Sequence, residues 1–130
     1  MKKSFLIAGI FLIILFGIFL FFRFNEDNWI KDNSGVWIKH GNPAEIPDYV
    51  LAQQSVINCS ADLYMKAALS SVIQLNSQCL GTCGDYAVDI VHVPRIAEDD
   101  KTENQCESYL YGKVNHFIEL DRNGSVVRIV

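Results

Sequence analysis

The sequence predicts an α+β fold, stapled by disulfides and tethered behind an N-terminal transmembrane helix. Three observations carry that expectation: an unbroken apolar run at the N-terminus, four cysteines placed wholly after it, and one long helical periodicity followed by segments alternating with period two. The expected order is β-α-β-β-β, with the long helix packed on a small antiparallel sheet.

The apolar run is Phe5 to Phe22, FLIAGIFLIILFGIFLFF, with Lys2 and Lys3 before it and Arg23 after it. At the α-helical rise it is roughly 27 Å long, close to the hydrocarbon thickness of a bilayer. The run is apolar on every face, and a domain this small cannot surround such a helix. Its exit, Phe19-Leu20-Phe21-Phe22-Arg23-Phe24-Asn25, lacks the small residues of a signal-peptide cleavage site, and no lipid-attachment cysteine follows. The expected organisation is therefore residues 1–4 in the cytoplasm, 5–22 as an uncleaved anchor, 23–47 as a juxtamembrane linker and 48–130 as an extracytoplasmic domain. Flanking charges do not settle the orientation, because Arg23, Lys31 and Lys39 oppose Lys2 and Lys3. The cysteines do: Cys59, Cys79, Cys83 and Cys106 form an even set in a small domain, which fits a disulfide framework in an oxidising compartment.

From Phe24 to Val130 there are eight Lys plus Arg against fifteen Asp plus Glu, a formal charge of minus seven. That balance makes nucleic acid and anionic lipid headgroups poor partners for this part, and no nucleic acid is expected. About a hundred residues suffice for one core but not for two. No phosphate-cradling glycine loop or nucleophile motif is present, so no cofactor and no catalytic residue is expected.

Residues 23–47 mix Asn, Asp, Gly and Pro with isolated large apolar side chains. Trp29 and Trp37 suit the headgroup level of a membrane, and alternatively residues 36–40 form a short edge strand stopped by Gly41-Asn42-Pro43. Trp29 followed by Gly35-Val36-Trp37-Ile38-Lys39-His40-Gly41-Asn42-Pro43 resembles a segment found just after the membrane or lipid anchor in small, uncharacterised extracytoplasmic proteins of bacteria and archaea. The resemblance implies surface exposure and carries no activity.

After Pro47, Asp48 is a suitable N-cap, and Tyr49 to Asn76 contains no Gly or Pro. Val50, Ile57, Ala61, Tyr64, Ala68, Val72 and Leu75 recur on one face of a long amphipathic helix, with Gln53, Gln54 and Asp62 on a solvated side. Tyr86 to Val93 reads as a strand closed by Pro94, and Lys113 to Leu120 as another. Asp121-Arg122-Asn123-Gly124 is a hairpin turn into Ser125 to Val130. In the connection, Thr102 and Gln105 make a capping box for a short helix ended by Gly112. This order resembles the cystatin-like arrangement, in element order only.

An unbroken helix to Asn76 would hold Cys79 and Cys83 about 30 Å from Cys59. The favoured pairing is then Cys59 with Cys106 and Cys79 with Cys83. A short Cys79–Cys83 bridge near a helix end is the candidate for thiol exchange, although the spacing is C-x3-C and no strand precedes it. With Ile90 opposite Ile118, His92 and His116 face each other as an incomplete metal site, and Asp89 and Glu119 share the other side. Asn58 and Asn123 match the glycosylation acceptor pattern. The leading expectation is a membrane-anchored binding or assembly module that contacts another envelope protein or a small ligand. The alternatives are a thiol or metal accessory protein and a pilin-like subunit.

Overall fold

The computed structural model describes residues 2–24, 27–70 and 78–130, and within the first helix the side chains of 7–21. The chain divides into two compact units, Met1–Ile30 with Ile38–Glu45, and Lys31–Trp37 with Ile46–Val130.

The first unit holds α1, Lys2–Phe24, a single helix of 23 residues. From Ile7 to Phe21 its side chains are apolar and exposed all round, apart from half-buried Gly9 and Leu20. Among the described residues no helix is long and apolar enough to cross a membrane, the described side chains of α1 being those of 7–21. The same unit holds the open end of a hairpin formed by β1, Asn28–Lys31, and β2, Trp37–His40. There Asp27 accepts the Asn42 N–H at 2.8 Å and Trp29 donates its indole N–H to the Glu45 carbonyl at 3.0 Å. Strand β2, Trp37–His40, falls within residues 36–40 and pairs with β1 inside the stretch that composition marks as a linker.

The second unit contains the hairpin's turn. Asp32 shapes it by accepting from the Ser34 hydroxyl at 2.6 Å and from the Ser34 and Val36 amides. The Ser34 hydroxyl, joined by the Val36, Ser34 and Gly35 amides, holds the Asp32 carboxyl below its usual range against the opposing effect of desolvation. The helix α2, Asp48–Leu69, follows, with Pro47 rather than Asp48 at the N-cap. Asp48 is the first helical residue, where an acidic side chain still suits the dipole. The expected continuation of this helix over 71–76, including Val72 and Leu75, lies outside the described residues. Gln53 is buried, not solvated: its side chain accepts the Trp37 N–H at 2.7 Å and donates to the Gly35 carbonyl at 2.9 Å. An amide can satisfy a strand's backbone donor and acceptor together, which is why a polar residue is tolerated on the packed face.

Behind α2 lies a four-stranded sheet in the order β3-β4-β5-β6. Its strands are β3, Gln78–Cys83; β4, Tyr86–Ile90; β5, His116–Leu120; and β6, Val126–Ile129. The expectation of an antiparallel sheet fails at its centre, since β4 and β5 are parallel, with Tyr86 opposite His116 and Ile90 opposite Leu120. A parallel pair needs a crossover, and residues 91–115 supply it, with two 3-10 turns, Ala97–Asp100 and Thr102–Asn104, and the one-turn helix α3, Glu107–Leu110. The expected Thr102–Gln105 capping box is absent, Cys106 standing at the N-cap of α3. With β1 and β3 added and β4–β5 parallel, the order departs from the cystatin-like expectation.

Each face of the sheet has its own cover. Val88, Ile118, Leu120 and Ile129 point to the face that packs Val56, Ile57, Leu63 and Tyr64 of α2. Ala87 points to the other face, where Cys106, Val114 and Phe117 gather. One irregularity assigns the cysteines between them. Along β3, Cys79 pairs with Asp89 but Gly81 with Val88, so Leu80 is an extra residue. Four residues apart on a regular strand, Cys79 and Cys83 would share a face; the bulge puts them on opposite faces.

The bridges follow from this. Cys83 reaches Cys59 on α2, with Cα atoms 5.9 Å apart, and Cys79 reaches Cys106 beneath the crossover, with Cα atoms 4.8 Å apart. The favoured pairing of Cys59 with Cys106 and Cys79 with Cys83 is corrected. Helix α2 ends at Leu69 and β3 returns along it, so Cys59 is not remote from Cys83; and an extended C-x3-C segment is too long for a direct bridge.

Deleting Leu80 should return Cys79 to the α2 face while the two-residue turn Gly84-Asp85 holds Cys83 in register. Disulfide mapping of that variant should show Cys59–Cys83 intact and both Cys79 and Cys106 as thiols. Recovery of both native bridges would refute the role given to the bulge.

Candidate functional site

The sheet face opposite α2 carries a row that sequence reasoning only half anticipated. Register places Cys79, Asp89, Glu119 and Arg128 side by side across β3, β4, β5 and β6. The crossover adds Arg95 above them. Glu119 is 5% exposed and accepts from three directions: Arg128 Nε at 2.9 Å, Arg128 Nη2 at 3.0 Å and Arg95 Nη1 at 2.7 Å. Arg95 also donates to Asp100 at 3.0 Å, and these two carboxylates, Glu119 foremost, raise its pKa further. The Arg128 guanidinium lies 4.8 Å from the Phe117 ring centroid, and Phe117 meets Tyr109 edge to face at 5.2 Å. Buried carboxylates survive when they are paired this densely.

Asp89 is different. Its Oδ1 is buried and has no hydrogen-bond partner among the described residues. The carboxyl accepts from the Cys106 backbone, but burial, then the Glu119 charge, push its pKa up to about 7 against the pull of Arg95. Beside it opens a pocket of about 130 Å3, lined by Asp89, Arg95, Asn104, Tyr109, Phe117 and Glu119 among others. A carboxyl with one unpartnered oxygen and a pKa pushed up to about 7 can both donate and accept a proton there.

The other residues singled out from sequence fall elsewhere. His92 and His116 are not neighbours. The parallel register sets His116 opposite Tyr86, six positions before His92, whereas the expected facing pair needed an antiparallel one. His92 donates through Nδ1 to buried Asp99 at 2.8 Å, and its Nε2 meets the Arg122 guanidinium. Asp99 also accepts the His92 and Ile96 amides, so the dyad organises the start of the crossover. His116 stacks on Tyr86 with centroids 4.8 Å apart and places Nδ1 at 3.1 Å from the Val130 carbonyl. Trp37 packs on Tyr49 at 4.6 Å, under the Lys31 ammonium at 5.2 Å from its centroid. Trp29 belongs to β1.

All four cysteines, each among the described residues, are bridged. Cys79, Asp89 and Cys106 nevertheless form a compact group, with two sulfurs and a carboxylate oxygen within 4.8 Å of one another. Held in a bridge, the sulfurs are not thiolate ligands. The signal for this cluster was in the sequence, since β4 and β5 each carry one acid on the same face. What hid it was the crossover that brings Arg95 and Cys106 over that face. Compared with known protein families, curated proteins and solved structures, the chain matches none.

The Asp89 carboxyl binds its proton more tightly in the folded than in the unfolded chain, where it titrates near 3.8. Its contribution to stability is therefore full below about pH 4 and lost as pH rises through about 7, a change on the order of a few kcal/mol. Asp89→Asn removes the ionisation, so its melting temperature relative to wild type should rise between pH 4 and pH 8. A pH-independent difference would contradict the assignment.

Proposed function

We propose that this chain is a membrane-anchored extracytoplasmic binding or assembly module. In this reading α1 crosses the bilayer with its N-terminus in the cytoplasm, and the Lys31–Trp37 and Ile46–Val130 unit offers the Asp89 pocket to a small ligand or to a side chain of another envelope protein. The observation that carries the anchor is α1 itself, whose described side chains are apolar and exposed on every side. A helix of that kind is stable where its surroundings are as apolar as it is. The full run from Phe5 to Phe22 extends the described stretch to roughly the thickness of a bilayer core. Two disulfides favour an oxidising compartment for the second unit, and the likeness of Trp29 to Pro43 to a segment near the anchor of extracytoplasmic proteins supports the same side. In the pocket, the unpartnered Asp89 oxygen favours a ligand that brings an N–H or O–H donor, and the small volume limits it to a few heavy atoms.

Expressed in full, the chain should sediment with membranes and resist extraction at alkaline pH, and a form lacking residues 2–24 should be released. Extraction of the full chain by carbonate would refute the anchor.

A further inference from the structure

We infer that the Cys79–Cys106 bridge is an exchangeable disulfide that oxidises a partner dithiol, with Asp89 as the acid that protonates the departing Cys106 sulfur. The inference goes beyond ligand binding and stands independently of the anchor.

The two bridges are unlike in access. Of the four cysteines, Cys79 is exposed, Cys59 half-buried, and Cys83 and Cys106 are 2% and 0% exposed. Cys79 is thus the exposed end of its bridge, and the attack of an incoming thiolate is assigned to its sulfur, whereas Cys59–Cys83 lies between α2 and the sheet. Attack at Cys79 makes Cys106 the leaving group, and its surroundings decide what it needs. The Cys106 sulfur lies 3.5 Å from both the Gly81 and Val88 carbonyl oxygens, in a buried setting. Two carbonyl dipoles and burial disfavour a thiolate there but suit a thiol, which can donate its proton to either oxygen. The leaving sulfur must therefore be protonated as it departs.

Asp89 stands where that proton is required. It lies opposite Cys79 in the β3–β4 register, with a carboxylate oxygen within 4.8 Å of both sulfurs, close enough to act through a small rotation or one water. Its Oδ1 is committed to no other partner among the described residues. The charged and titratable groups around it are Glu119 on β5, Arg128 on β6, Arg95 and Asp99 on the crossover, and Tyr109 on α3. Strand β3 brings no charge of its own. Burial and Glu119 keep a protonated fraction at neutral pH.

The step balances. A thiolate of the partner dithiol attacks the Cys79 sulfur, the S–S bond breaks, and the electron pair leaves on the Cys106 sulfur, which takes the Asp89 proton. The partner's second thiolate then attacks its own sulfur in the mixed disulfide and releases Cys79 as a thiolate, which takes a proton from solvent, as does Asp89. The partner dithiol is oxidised and the bridge is reduced by two electrons.

The test follows each bridge of the full-length protein in detergent micelles by differential alkylation and mass spectrometry, with dithiothreitol as the probe. In the wild type, Cys79–Cys106 should open faster than Cys59–Cys83, by on the order of tenfold or more at neutral pH. Its rate per unit of probe thiolate should fall as pH rises through about 7. Asp89→Asn should slow that bridge at about pH 6, by on the order of tenfold, and flatten the profile, leaving Cys59–Cys83 unaltered. Opening of Cys59–Cys83 first overturns the inference. A faster Cys79–Cys106 with a flat wild-type profile overturns the role of Asp89, whether or not the variant folds.

Discussion

The residue inserted into β3 at Leu80 sets the constraint on which the rest of the second unit depends. A sheet strand alternates its side chains between two faces, and only an odd insertion changes which face a later residue meets. Because of it, Cys83 points at α2 and Cys79 at the crossover. The two layers on either side of the sheet are thereby each tied to the same short strand. The bridges span 24 and 27 residues, and loops of that length correspond to about 3 to 4 kcal/mol each in restricted unfolded-chain entropy. For a domain whose core is this small, that is comparable with the whole stability expected.

The two faces differ in kind. Toward α2 the contacts are aliphatic and aromatic, the ordinary product of burying apolar surface. Toward the crossover, apolar residues share the space with Asp89, Glu119, Arg95 and Arg128. Glu119 is compensated by two guanidinium groups, and such a pair tolerates burial without adding much stability. Asp89 receives no guanidinium hydrogen bond among the described residues, and the structure accommodates it by shifting its proton equilibrium. A group whose environment is unfavourable to its ordinary charge state, next to a bridged sulfur and an open pocket, is an arrangement suited to chemistry rather than to packing.

The crossover also explains which parts of the fold were legible. The β5–β6 hairpin was readable because Asp121 and Gly124 act within their own turn: Asp121 accepts the Asn123 and Ser125 amides, and Gly124 adopts a φ of +81°. Helix α2 was readable from its periodicity over Val50 to Tyr64, whereas Ala68, expected on the packed face, is exposed, and Gln53 is buried because its partners Gly35 and Trp37 lie far back in the chain. Strand β3 was not, because Gln78-Cys79-Leu80-Gly81-Thr82-Cys83 lacks alternation and contains a bulge. The neighbourhood of Asp89 and Glu119 does not depend on strand direction: antiparallel pairing about Ile90 and Ile118, and the actual parallel pairing, both set these two acids opposite each other. The histidines, displaced from the crossing point of those registers, were separated by the same change.

By itself the sequence determined what depends on local order: an apolar N-terminal helix, an amphipathic helix after Pro47, a hairpin at Asp121 to Gly124, and an even set of cysteines. Each rests on periodicity, turn chemistry or composition within a few residues. Tertiary structure alone decided the partners of those cysteines, the parallel direction of β5 and the assembly of Arg95, Cys106 and Asp89 on one face. These depend on where a strand gains a residue and on which side of the sheet a crossover runs, and neither leaves a periodic mark in the chain.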